Sequence, residues 1–311
     1  MFTSPIDVLT HFPIRKTKQQ KQSFRDAIQS YVSQLGYTCM IEDGSFGCKN
    51  VVIGNPEQAR YLVTAHYDTC TRMLLPNLVT PCNLFLFVLY QLLILLLIII
   101  PSIIAGMTAG LLTNNSTAVG YTALTVYWLL LIGMFAGPAN PSNANDNTSG
   151  VITLLEILRT LPENQRYKVC FVLFDLEEAG LVGSAAYRKK HAKSINHQIV
   201  LNMDCVGDGD YLTIFPNKKL QKDKEKLMPL YRICGSWGGK RLQLHKKGLF
   251  IYPSDQANFP YGAAIAAFHK RKGVGLYYSR IHTPKDNSLD LTNINILRAA
   301  LTTFICCDAV Q

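Results

Sequence analysis

The sequence predicts an α/β fold: a three-layer sandwich with a mostly parallel central sheet flanked by helices, interrupted by an inserted helical membrane hairpin. Three observations carry this reading. Short β-branched or aromatic runs alternate with helical stretches along most of the chain. One long stretch without charge splits that alternation. Carboxylates and histidines recur directly after the strand-like runs, where open α/β sheets gather their ligands.

In chain order, the strand-like runs are Asn50–Ile53, Tyr61–Ala65, Val169–Phe174, Ile199–Met203 and Val274–Tyr278. Val151, Leu154, Leu155 and Leu158 fall on one helical face just after Thr148, Ser149 and Gly150, which reads as a helix start. Further helical stretches run from about Leu181 to His191, from Leu220 to Cys234, and from Asn293 to the C-terminus. The lysines at 218, 219, 222, 224 and 226 read as a solvated helix face.

All 73 residues from Met73 to Asn145 lack Asp, Glu, Lys, Arg and His. Within them, Leu84–Ile104 is a 21-residue apolar run with Gln91 and Ser102 as its polar side chains. At about 1.5 Å per residue, such a helix spans roughly the 30 Å hydrocarbon layer of a bilayer. Ala118–Ala136 is a second charge-free window. Core helices of that length keep a charged or strongly polar edge, and these do not. Residues 84–136 are therefore predicted to be a transmembrane hairpin in contact with the lipid bilayer. It divides one domain into a first part, 1–83, and a remainder, 137–311. Both flanks then lie on one side of the membrane. The opening MFTSPIDVLTHFPIRKTKQQKQSF has no apolar stretch of signal-peptide length, and Arg72 flanks a hairpin whose turn has no Lys or Arg, so that side is predicted to be the cytoplasm. Asn114 and Asn115 read as turn residues.

With 311 residues, 48% apolar and 17% charged, the chain is neither disordered nor too short for a large core. The formal charge of +10 favours anionic surfaces, but no Arg-rich helix or basic repeat accompanies it, so no nucleic-acid partner is expected. Nine cysteines without a CxxC pair read as reduced thiols.

The chemistry sits where strands stop. Tyr61–Ala65 leads into His66-Tyr67-Asp68, and Val169–Phe174 leads into Asp175-Leu176-Glu177-Glu178. Ile199–Met203 leads into Asp204, Asp146 precedes a helix, and Val274–Tyr278 leads toward His282. Two histidines and three or more carboxylates in one crevice repel one another unless cations join them. Two divalent ions would balance three carboxylates and a hydroxide. Mixed imidazole and carboxylate ligation suits zinc, with cobalt or manganese as substitutes. Adjacent Glu177 and Glu178 leave a turn in different directions, so one can bind metal while the other takes a proton from water.

Five blocks, HYD at 66–68, NDNTSG at 145–150, FDLEEAGLVGS at 174–184, NMD at 202–204 and IHTPKD at 281–286, resemble the two-zinc aminopeptidases of metallopeptidase family 28. They stand in the family's order and cover the chain from about residue 50 to its end, the hairpin excepted. The resemblance implies a zinc-exopeptidase-like fold and two zinc ions. It implies that Asp146 bridges them, that His66 and Asp204 complete one ion, and that Glu178 and His282 complete the other. Glu177 would be the general base and later the acid, and Asp68 would orient His66. The implied activity is an aminopeptidase hydrolysing peptides with a free N-terminus through zinc-activated water. Glutaminyl-cyclase-like or other amide-processing activity is the alternative on the same fold. A non-catalytic membrane interaction protein is the alternative outside enzymes. Cyclase relatives use one metal, so the presence of both His66 and Asp204 favours hydrolysis.

The chain departs from the family pattern twice. His66 and Asp146 lie 80 positions apart, with the apolar hairpin between them, so the hairpin should spring from the rim of the site. Ser254-Asp255-Gln256 stands where relatives often read Ser-Asp-His, and Gln256 cannot act as a cationic donor. Cys70 and Cys205 read as small packing residues, and His11, His191, His197, His245 and His269 lack motif context.

Overall fold

Ten strands form one sheet in the computed structural model, which describes residues 2–73, 75, 77–245 and 248–307. They are β1 (Cys39–Asp43), β2 (Lys49–Ile53), β3 (Tyr61–His66), β4 (Val169–Phe174) and β5 (Ile199–Met203), followed by β6 (Tyr211–Pro216), β7 (Gly235–Trp237), β8 (Lys240–Leu244), β9 (Gly262–Arg271) and β10 (Gly275–Tyr277). The order across the sheet is β1-β2-β4-β3-β5-β9-β6-β8-β7, with β10 paired to β9 off that path. The central strands β4, β3, β5 and β9 run parallel, and antiparallel pairs close both edges.

Every residue of β3, β4 and β5 is buried, as expected of parallel strands covered on both faces. Side chains alternate between the two faces. Val63 and Ala65 join a core formed with the helices Lys18–Gln34, Gly150–Thr160 and Leu291–Cys307, through Phe24, Leu154 and Leu301 among others. Leu62 and Val172 face the other way, onto Tyr187 of the helix Val182–Lys190 and Phe259. The result is a three-layer α/β sandwich.

Several local expectations need correcting. The run 274–278 holds a strand, but a short one off the main path of the sheet: β10 is a three-residue antiparallel partner of β9, and His282 follows it in a loop. The helix expected over 220–234 is two helices, Lys218–Lys222 and Lys224–Arg232. Asp223 separates them and caps the second by accepting from Lys226 N. The helix Lys18–Gln34, opened by a capping box between Thr17 and Gln20, carries a polar-rich sequence that hides its buried stripe of Phe24, Ile28, Tyr31 and Val32.

The charge-free stretch forms two antiparallel helices, Leu84–Thr113 and Ser116–Ala136. Asn83 caps the first, Asn114 ends it in a left-handed conformation (φ 50°), and Asn115 caps the second. Both helices are long and apolar enough to cross a membrane, and only 6% and 0% of their most apolar windows are buried. A soluble core helix would be mostly covered; here Leu89, Leu96, Ile103, Leu124, Leu129 and Phe135 all stand exposed.

The two helices approach closely at Gly106, where an added Cβ would lie 2.5 Å from Val119 O and 2.9 Å from the Ala123 Cβ. Gly106→Val should force them apart and cost about 1–3 kcal/mol of hairpin stability. Thermal unfolding in detergent, followed through Trp128 on the second helix, should show an earlier transition for Gly106→Val. An unchanged transition would contradict the close contact.

Candidate metal centre

The C-terminal ends of β3, β4 and β5 lie side by side, which brings His66, the 175–178 turn and Asp204 to one edge of the sheet. Asp146 comes from the irregular segment Ala144–Ser149 that leads into the helix Gly150–Thr160. Asparagines tie this segment to the chain after β5. Asn147 Oδ1 accepts from Cys205 N (3.2 Å), its Nδ2 donates to Met203 O (2.9 Å), and Asn145 Oδ1 accepts from Gly207 N (2.7 Å). Leu176, Cys205 and His282 have φ of 56°, 58° and 62°. Left-handed backbone costs a side-chain-bearing residue about 1 kcal/mol or more, and here it occurs beside Glu177 and Asp204 and at His282 itself.

All seven sequence-predicted site residues meet here. His66 Nε2 lies 3.3 Å from Asp146 Oδ1 and 3.7 Å from Asp204 Oδ1. His282 Nε2 lies 3.1 Å from Asp146 Oδ2 and 3.5 Å from Glu178 Oε2. The two oxygens of Asp146 thus face two different imidazoles. Glu177 Oε2 is farther out, 4.0 Å from His66 Nε2. Asp68 accepts from the amides of Glu177 (3.1 Å) and Glu178 (3.3 Å), and its Oδ1 lies 3.5 Å from His66 Nδ1. A cavity of about 300 Å³ opens over His66, Asp146, Glu177, Glu178, Asp204 and His282.

These donor spacings fit zinc. Tetrahedral ligands at Zn–N and Zn–O distances near 2.0–2.2 Å stand about 3.3 Å from one another. Buried Glu178 Oε1 has no hydrogen-bond partner, as befits an oxygen awaiting a cation.

The electrostatics tell the same story. Burial, reinforced by Glu178, Asp255 and Asp204, pushes the Glu177 carboxyl well above its ordinary range. Burial, together with Asp146 and Asp68, lifts Glu178 to about 8. Burial disfavours charge on the imidazoles, but the carboxylates overcome it, raising His66 well above its ordinary value and His282 to about 9. Burial opposes ionisation of Asp146 too, yet its bonds to His282 and His66 hold it below the usual carboxylate range. Without metal, protons on the imidazoles supply the positive charge the cluster needs.

Raised folded-state pKa values at Glu178 and His282 stabilise the metal-free fold at low pH, and that stability fades as pH rises through about 8 and 9. Asp146 works in the opposite sense, but its loss of stability falls in acid, outside this window. Zinc competes with those protons. Between pH 6 and 9 the melting temperature of metal-free protein should therefore fall, while the increment added by zinc grows. A zinc increment that shrinks with rising pH would contradict this account.

Sequence reasoning missed two supporting residues, Asp286 and Arg15, and gave no site role to two others, Asp255 and Cys70. Asp286 accepts from the amides of Asn145 (2.9 Å) and Asp146 (3.0 Å), pinning the segment that carries Asp146; its place in the IHTPKD block was its only signal. Arg15 is wholly buried and donates to Tyr67 O (2.5 Å), Phe12 O (2.5 Å) and Thr148 Oγ1 (3.0 Å). Burial lowers it to about 10, with Asp68 and Asp146 opposing, so it stays a cation beneath the cluster. Asp255 is wholly buried, and burial, opposed by His66 and Ser184, lifts its carboxyl to about 7. The buried sulfur of Cys70 lies within 4.8 Å of donor atoms of Glu178 and His282. Burial pushes that thiol well up, so it remains protonated and donates to Asn143 Oδ1 (3.4 Å).

The amide of Gln256 is turned inward, donating to Tyr252 O (2.8 Å) and accepting from Asn202 Nδ2 (3.3 Å). His191 is structural, held between Glu57 and Glu42.

The family model for peptidase family M28 matches residues 130–304, more than half of the chain. The chain belongs to peptidase family M28. Solved structures agree with that family's fold. A Zn-dependent exopeptidase from Parabacteroides distasonis superposes with a TM-score of 0.62 at 14% identity, covering 97% of this chain and 96% of that one. The LapA aminopeptidase of Legionella pneumophila gives 0.60 at 15% identity, covering 99% and 72%. A glutaminyl cyclase of Bacteroides thetaiotaomicron gives 0.58 at 14%, covering 97% and 95%. At such identities the likeness is one of fold, that of the zinc exopeptidases. No curated protein sequence matches the chain. Family M28 and the zinc-exopeptidase fold support zinc as the metal, and the groups His66-Asp146-Asp204 and His66-Glu177-Glu178 are so placed that they could hold an ion.

Proposed function

We propose that this M28 member is an aminopeptidase that uses two zinc ions and is tethered to the membrane by the hairpin 84–136, with its catalytic domain on the cytoplasmic side. One observation carries the two-ion reading: Asp146 turns one oxygen toward His66 and the other toward His282. His66, Asp204 and Asp146 Oδ1 would hold one ion, and Glu178, His282 and Asp146 Oδ2 the other. Zinc, when bound, polarises the scissile carbonyl and acidifies water.

The remaining work falls to side chains. Glu177 takes a proton from water and passes it to the leaving amine. Its burial suits that second task by favouring the protonated carboxyl. Asp68 holds the amides of Glu177 and Glu178 and faces His66 Nδ1, which leaves Nε2 directed at the cluster. The dense carboxylates favour a substrate with a positively charged free N-terminus. The apolar, exposed hairpin supports the tether, and Arg72 at its base, opposite an uncharged turn, supports the orientation.

Glutaminyl cyclase chemistry is the second reading, since a cyclase shares the fold. Zinc content of the purified full chain and product analysis separate the two. Two zinc per chain with release of N-terminal residues supports the aminopeptidase. One zinc with pyroglutamate formed from an N-terminal glutamine peptide supports the cyclase. Failure to bind zinc would leave a non-catalytic membrane protein.

A further inference from the structure

The cavity over the ligand cluster has close neighbours. A second cavity, of about 370 Å³, shares Asn77, Phe135, Glu178 and His282 with it and extends to Gln91, Ile94 and Met134 of the hairpin. A third, of about 250 Å³, shares Met73, Ile94 and Met134 with the second and lies between the hairpin helices, against Leu97, Leu129 and Gly133. Adjacent cavities with common lining residues therefore stand in series from the ligand cluster to the interhelical gap.

Polarity changes along this route. Carboxylates and imidazoles line its inner end, while aliphatic and methionine side chains, with Arg72 the one charged residue among them, line its outer end. Gln91 and Lys16 stand at the junction. Gln91 is the one amide in the helix Leu84–Thr113, which otherwise carries no amide or charged side chain, and it faces this route. Polar groups are costly in a bilayer-facing helix and mark pathways there. Lys16 Nζ donates to Thr71 Oγ1 (2.5 Å) and Phe135 O (3.0 Å); among the described residues it meets no carboxylate. Both can serve the main chain of a peptide passing from an apolar to a polar environment.

We propose that substrates enter laterally, from the bilayer through the gap between the two hairpin helices, and that they are short apolar peptides. The free N-terminus reaches the ligand cluster while apolar side chains trail past Met134, Ile94 and Met73. This rests on the aminopeptidase reading and adds to it the substrate class and its route.

Gly133 lines the outer cavity and offers a clean obstruction, because an added Cβ there meets nothing within 4 Å. The test uses the full zinc-loaded chain in phosphatidylcholine vesicles, with leucyl-dodecylamide as the membrane-partitioned substrate and leucyl-alaninamide as the soluble one. Gly133→Trp should lower kcat/KM for leucyl-dodecylamide about tenfold or more and leave leucyl-alaninamide within about twofold. Gly133→Ala should change neither. Equal loss on both substrates, or loss on neither, overturns the route. Cleavage of N-dodecanoyl-leucine in preference to leucyl-dodecylamide overturns the free-amine substrate class.

A second readout needs neither zinc nor turnover. Leucyl-dodecylamide with a diazirine at its chain end, photolysed with metal-free wild-type protein, should label Ile94 and Met134, and Gly133→Trp should abolish that labelling. Adducts spread evenly over the outward-facing Leu89, Leu96 and Leu124 overturn the proposal. Labelling of the passage in a protein that hydrolyses nothing would retain the route and reject the aminopeptidase reading.

Discussion

Glu177→Gln should lower kcat by about 10²–10⁴ while leaving zinc content at the wild-type level. The carboxyl lies 4.0 Å from His66 Nε2, outside the 3.1–3.7 Å spacings that join His66, Asp146, Asp204, Glu178 and His282. An amide of the same shape keeps the turn intact, because Asp68 holds position 177 through its backbone N–H. What disappears is the proton-accepting oxygen. Glu178→Gln should behave differently, losing zinc as well as turnover, since Glu178 Oε2 faces His282 at 3.5 Å. Steady-state kinetics and metal analysis on the same preparations decide it. Zinc loss in Glu177→Gln with retention in Glu178→Gln would reverse the two roles.

Asp146→Ala should abolish binding of both ions, with apparent affinity falling by more than about 100-fold and peptidase activity below detection. Removing any other ligand takes one donor from one imidazole pair. Asp146 serves both, through Oδ1 toward His66 and Oδ2 toward His282. Its loss also leaves two buried imidazoles without the carboxylate between them, so zinc would have to bridge a gap that alanine cannot fill. Metal titration followed by calorimetry measures this. One ion retained at wild-type affinity would show that Asp146 belongs to a single site.

Both predictions concern residues legible in the sequence as parts of blocks, and their partners were less so. His66, Asp204 and the Glu177-Glu178 pair follow strands whose apolar runs mark them as buried on both faces. β9 escaped notice because its alanine-rich GAAIAAFHKR has weak intrinsic strand preference; its conformation is imposed by β5 on one side and β6 on the other. His282 was recognised by its motif, but its delivery by a loop after β10 was not. Arg15 gave no signal at all, since one arginine in a polar N-terminal segment looks like any solvated cation until the fold buries it.

The chemical inventory and its strand-end placement, along with the long uncharged insertion, belong to the amino-acid sequence itself, because residue type and spacing along the chain carry that information. Which oxygen faces which imidazole, the inward turn of Gln256, the burial of Arg15 and Asp255, and the opening of the site toward the hairpin were decided by tertiary structure alone. Those features depend on contacts between segments as far as 133 positions apart, whose geometry is set by packing of the whole sheet and its helices.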